Sequence, residues 1–129
     1  MSEMKDRDRG AAAVEFAIVL PVLLALLLGT ISFGHAFHVQ SVLSNAARDG
    51  VRVMALKNSP AEAREAAVDS AAGSVSLVES QISVTPETCK ANGPDGPETA
   101  TVTITYPLNL LGGIGDVTVT GKGTMRCNG

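Results

Sequence analysis

Gly10-Ala-Ala-Ala-Val-Glu15-Phe16 opens an apolar run that continues through Leu28, and its reading decides the fold. Residues 16–29, FAIVLPVLLALLLG, contain no polar side chain. With the flanking alanines and Ile31-Ser-Phe33, the apolar stretch reaches roughly 20 residues, the length a helix needs to cross a bilayer core. One carboxylate, Glu15, stands near the start of this run. An ionisable residue in an apolar span is costly and marks a functional site by default. Pro21 sits inside the span and can bend it, which membrane helices tolerate better than soluble ones. A cleaved secretory signal has a shorter apolar region and small residues at its exit, which Gly34-His35-Ala36 matches poorly. A buried soluble helix would need a cover that the remaining chain does not supply.

The residues before the span, MSEMKDRDRG, carry Lys5, Arg7 and Arg9 beside Glu3, Asp6 and Asp8. Orientation follows Lys and Arg near the span and largely ignores acids. The first basic residues after it are Arg48 and Arg52, well away from its end. The expectation is a cytoplasmic leader over 1–10 that is solvated and irregular. A transmembrane helix over 11–34 follows, then an extracytoplasmic extension of that helix over 35–57. A small extracytoplasmic α/β domain occupies 58–129.

Composition supports a small domain on an anchor. The chain has 129 residues, and much of its 45% apolar content lies in residues 11 to 37. Aromatic residues make up 3% and Trp is absent, so a soluble core would be thin. The net charge of −3, with no basic patch outside the leader, argues against a nucleic-acid partner.

The helical pattern continues past the span. Ala36, Val39, Val42, Leu43, Ala46, Ala47, Gly50, Val51, Met54 and Ala55 recur at three- and four-residue intervals, forming one apolar stripe. A continuous helix from Ala11 to about Leu56 would be roughly 70 Å long. Small residues on the stripe permit close approach of another helix. The stripe also fits beneath the chain's own C-terminal domain, and the two uses can fall on different turns. Lys57-Asn58-Ser59-Pro60 breaks the pattern. Ser59 as N-cap, Pro60 at the first helical position and Glu62 three after the cap start a second helix, which runs to Ala72 and ends at Gly73.

After Gly73 the period changes to two. The spacing predicts a strand over Ser74–Thr85 that bends near Glu79, and a Pro/Gly/Asn-rich loop over 86–98. A strand over Thr99–Tyr106 puts Ala100, Val102, Ile104 and Tyr106 on one face. A turn over Pro107–Gly115 leads to a last strand over Asp116–Cys127. The fold class expected is α+β and membrane-anchored: a long N-terminal helix, a short second helix and about three antiparallel strands. The Thr-rich sheet face is expected in solvent.

Cys89 and Cys127 are the only cysteines, both beyond the span, and an oxidising compartment favours their pairing. They lack zinc-ligand spacing. His35 and His38, three apart on the helix, read as an interfacial pair just outside the bilayer. Leu110-Leu-Gly-Gly-Ile-Gly115 has no βα unit around it and is a turn. Thr120-Gly-Lys-Gly-Thr124 lacks phosphate-loop spacing. No nucleophile–base pair, cofactor motif or small-molecule site is visible, so the expectation is a protein without catalytic, cofactor or metal residues.

Arg9-Gly10-Ala-Ala-Ala-Val-Glu15-Phe16-Ala17, the leucine-rich span with Pro21, Phe33-Gly34, and Leu43-Ser-Asn45-Ala-Ala-Arg48-Asp-Gly50-Val-Arg52 together resemble the TadE family. These are small pilin-like proteins of the tight-adherence (Tad/Flp) pilus system, and the likeness covers residues 8 to 55. The resemblance implies a pilin-like subunit cut by a prepilin peptidase between Gly10 and Ala11, leaving Glu15 fifth in the mature chain. Phe16 stands where the major Flp pilins carry Tyr, which fits a minor pilin or pseudopilin.

Cleavage would create an α-amino group on Ala11, one helical turn from Glu15 and on its face. Paired within a chain or between neighbours, that ammonium would neutralise the carboxylate in an apolar bundle and fix the axial offset of subunits. Glu15 at headgroup level, with no such partner, is the plainer alternative. The expected partners are membrane lipid, the prepilin peptidase and other pilins. The alternative function is an unprocessed single-pass protein whose outer domain scaffolds a secretion machine or binds a ligand.

Overall fold

The computed structural model describes residues 2–94, 96–110, 113 and 115–128, with side chains from Lys5 onward. One helix, α1, runs from Ser2 to Lys57, about 84 Å at 1.5 Å per residue. Pro21 lies within it without ending it. Residues 2–10, expected to be irregular, instead continue the helix. Met4, Lys5, Arg7 and Arg9 favour helix, and residues added to an existing helix avoid the cost of a new nucleus.

Asn58 stops α1. Its φ is 51°, its N–H bonds the Met54 carbonyl at 2.9 Å, and its Oδ1 accepts the Cys89 N–H at 2.6 Å. Asn tolerates this left-handed turn better than most side chains do. Ser59 then caps α2 (Pro60–Ala71) by accepting the Glu62 N–H at 3.4 Å, with Pro60 in the first turn. Alanines 63, 67 and 71 form the buried face of α2. With no side chain larger than a methyl there, α2 can lie close along α1. Ser70 Oγ donates to Asp49 Oδ2 at 2.6 Å across the same pair.

The expected strand over Ser74–Thr85 is shorter than its pattern. Val75 and Leu77 are buried alternately, yet only β1 (Ile82–Thr85) pairs with a neighbour. A 3-10 turn at Glu79–Gln81 intervenes. Gln81 Oε1 accepts the Val78 N–H and Gln81 N–H donates to the Val78 carbonyl, both at 3.0 Å. Those local bonds take groups that a longer ladder would have needed.

β2 (Thr99–Asn109) and β3 (Asp116–Arg126) complete an antiparallel sheet in the order β1-β2-β3. β2 extends past the expected end at Tyr106 and includes Pro107. Proline is tolerated because β1 reaches only residues 101–104 of β2, leaving an edge beside position 107. In the turn expected over 107–115, Leu111, Gly112 and Ile114 lie outside the described residues.

The sheet lies on the apolar stripe of α1. Leu43, Ala46, Ala47, Val51 and Met54 are buried with Val102, Ile104 and Val119 in one core that also takes in the α2 alanines. The largest fully buried side chains are Leu43, Met54, Ile104, Val102 and Cys89, none of them aromatic. Thr99 and Thr105 face outward, and Thr101 and Thr103 are half-covered. Cys89 and Cys127 form a disulfide, Cα–Cα 5.5 Å, that ties the loop after β1 to the end of β3. In a chain-entropy account, a closed loop of this length contributes about 4 kcal/mol.

Candidate assembly site on the N-terminal helix

The stripe on α1 has two parts with different fates. From Val39 to Ala55 it is the floor of the domain. The assembly role that its small residues permit is therefore taken up within the chain. Gly121 and Gly123 replace side chains where β3 crosses the helix. A Cβ on Gly123 would fall 2.8 Å from the Ala47 carbonyl carbon, and one on Gly121 would be closer still to Leu43. From sequence, Thr120-Gly-Lys-Gly-Thr124 is weighed only as a phosphate loop and rejected, which leaves the role of these glycines unread. Their two-residue repeat on the inward face of Thr120-Gly-Lys-Gly-Thr124 was the available signal of a close approach.

Before that floor, the helix is uncovered. Every described side chain from Lys5 to Leu28 is exposed, Phe16 at 62%. The segment is long and apolar enough to cross a membrane. Thr30 Oγ1 donates to the Leu26 carbonyl at 2.8 Å, so its hydroxyl is satisfied inside the helix. Glu15 is the sole ionisable residue between Arg9 and His35.

The three positions singled out by sequence fall in one stretch. Gly10 and Ala11 are consecutive helical residues, and Ala11 and Glu15, four apart, share a face. All three are exposed, and nothing approaches the side-chain position of Gly10 within 4 Å. A helical peptide bond does not fit the extended backbone that peptidases usually bind, so cutting between Gly10 and Ala11 requires local unwinding. Gly10 lowers that cost by roughly 1 kcal/mol relative to alanine.

His35 and His38 are both exposed, and no cluster of three or more potential metal ligands occurs among the described residues. The ion pair Lys57–Glu62, 3.5 Å, has both side chains more than half exposed and contributes little to stability.

Comparison with curated proteins and with solved structures gives no match. The family model described as TadE-like protein matches residues 10–52, from the glycine before Ala11, through the uncovered apolar helix, to the stripe beneath the sheet. Over residues 10–52, a third of its length, the chain is similar to TadE-like proteins.

Proposed function

We propose that the protein is a minor pilin or pseudopilin of a Tad (Flp-type) pilus. It acts as a structural part of pilus assembly or initiation and not as an enzyme. In this reading a single span holds it in the cytoplasmic membrane, residues 1–10 face the cytoplasm, and the disulfide-bonded domain lies outside. A prepilin peptidase cuts between Gly10 and Ala11.

One observation carries the reading: the TadE-like match begins at Gly10 and runs along the same helix whose apolar side chains lack any cover. Neighbouring pilin helices are the natural cover. Burying the span among them would bury Glu15, which then requires a positive partner. The new ammonium on Ala11 supplies it, and the pairing sets subunits in one register.

The test is mass spectrometry of the N-terminus in cells with and without an active prepilin peptidase. The expected product begins at Ala11 when the peptidase is present. An intact N-terminus in its presence overturns the processing claim. It would favour the second reading, an unprocessed single-pass scaffold, which the unbroken passage of α1 through Gly10 supports.

A further inference from the structure

Phe33 is 71% exposed and Phe37 68%, and the two stand one turn apart on α1. Phe33 ends the apolar run, and Phe37 lies about 6 Å beyond it along the helix. An aromatic ring at that height is past the acyl chains, and leaving it in water forgoes about 1.5–3 kcal/mol of burial.

The helical period ties this pair to Glu15. Phe33 follows Glu15 by five turns of 3.6 residues, and Phe37 follows it by six turns and about 40°. Val19, Val22 and Leu26 fall on the same face between them, and each is exposed. An ionisable residue in a span faces other protein and not lipid, so this face is the one that meets a neighbour. Among the described residues it is also the one face of the span that stays apolar and uncovered above Phe33. Toward the domain, Val39 and Leu43 are buried under the sheet. On the far side, Leu24 and Ile31 lead up to His35 and His38, and behind, Leu23 and Leu27 lead up to Ser41 and Asn45. Phe33 and Phe37 instead line an open groove with Thr118 and Thr120 of β3.

Two separate features require the same displacement of a neighbouring copy. To set the ammonium of a processed Ala11 level with Glu15, a second copy must stand four residues farther outward, about 6 Å. That shift also raises the second copy's Phe33, the end of its apolar run, to the level of Phe37. Without the shift, Phe37 would lie at the level of the second copy's His35 and His38. Glu15 and Phe37 are about 33 Å apart along the helix, so no single local feature produces the agreement.

We propose that the Glu15–Phe37 face of α1 receives the N-terminal helix of a second copy of this chain, displaced outward by four residues. This rests on the processed, single-span reading above. Lipid does not fit as the occupant, because acyl chains neither neutralise Glu15 nor reach Phe37. The two copies use different surfaces, an N-terminus on one and the Glu15–Phe37 stripe on the other. Such a contact, with its axial shift, does not close into a ring, and its repetition gives an open chain. The copy still seated in the bilayer holds the N-terminus of one already lifted outward.

The experiment places the photocrosslinker p-benzoylphenylalanine singly at Leu26, Phe33 or Phe37, with Leu24 and His38 as controls. The full-length protein is expressed as two differently tagged copies in cells with an active prepilin peptidase. Cross-linked peptides and the N-terminus are read by mass spectrometry from the same membranes. The expected result is cross-linking between copies at least threefold stronger from Leu26, Phe33 and Phe37 than from the controls. The Phe37 adduct should centre on the second copy's Phe33 and disappear in Glu15→Gln. Equal cross-linking from all five positions, a Phe37 adduct centred on the second copy's Phe37, or capture of a different pilin overturns the proposal. If any of these occurs in chains that begin at Ala11, the processing reading stands without it. If the chains are unprocessed although the peptidase is active, that reading fails and takes the proposal with it.

Discussion

Gly121 lies directly against the backbone of Leu43: a Cβ built on the glycine would fall 2.5 Å from the Leu43 carbonyl carbon and 2.7 Å from its oxygen. The obstacle is main chain and not a side chain that can turn away. The distance between sheet and helix is thus set by missing methyl groups, here and at Gly123 against the Ala47 backbone.

Gly121→Ala should push β3 off α1 and cost about 2–3 kcal/mol. Gly73→Ala is the control, since Gly73 has nothing within 4 Å of its side-chain position. Urea unfolding of the detergent-solubilised protein, followed by near-ultraviolet dichroism, measures both. Equal midpoints for the two variants would refute the close-packing account.

Removing the disulfide by Cys89→Ser together with Cys127→Ser should lower domain stability by about 4 kcal/mol. Because Cys89 is also a buried core residue in a core without aromatics, the loss should appear as early melting of the sheet. The far-ultraviolet helical signal of the span should persist. Unchanged thermal unfolding would show that packing alone holds the loop after β1.

Asn58 joins two functions, a left-handed turn and a side-chain acceptor for the Cys89 N–H. Asn58→Gly keeps the turn and loses only the acceptor, an expected cost of about 1 kcal/mol. Asn58→Ala loses both and should cost about 2 kcal/mol. If the two substitutions destabilise equally in thermal melts, the backbone conformation contributes nothing.

Glu15→Gln should leave insertion and folding intact, because Glu15 is exposed and its carboxylate makes no hydrogen bond or ion pair among the described residues. In cells it should reduce recovery of the protein with other pilins on cross-linking by tenfold or more, while membrane fractionation stays unchanged. Normal co-recovery would reduce Glu15 to a headgroup residue.

Most of the architecture follows from periodicity. The stripe from Val39 to Ala55, the Ser59-Pro60 cap, the alternation of β2 and the pairing of Cys89 with Cys127 are each determined by a few neighbouring residues or by simple elimination. The departures have non-local causes. Val75 and Leu77 alternate like a strand but lack a paired neighbour, because the turn at Glu79–Gln81 takes the hydrogen bonds. Pro107 stays in β2 only because β1 ends before reaching it. Residues 2–10 are helical because a long helix already exists beside them. At the candidate site, Gly10, Ala11 and Glu15 could be named from spacing. That the stripe beyond the span serves the chain's own sheet, and that Gly121 and Gly123 make room for it, required three-dimensional structure.

The helix from Ser2 to Lys57 has one further consequence, a mechanical one. The same rod that carries the exposed apolar segment is also half of the domain's core, so no linker separates the two. A pull along its axis, or a twist about it, arrives at the sheet undiminished except where the rod itself can yield. Pro21, and the stretch between Gly29 and Gly34 just before the core begins, are the points of lowest stiffness. Extraction from a bilayer would therefore lift the whole molecule as a single stiff piece, and rotation of the rod would swing the hairpin around it like a flag on a pole.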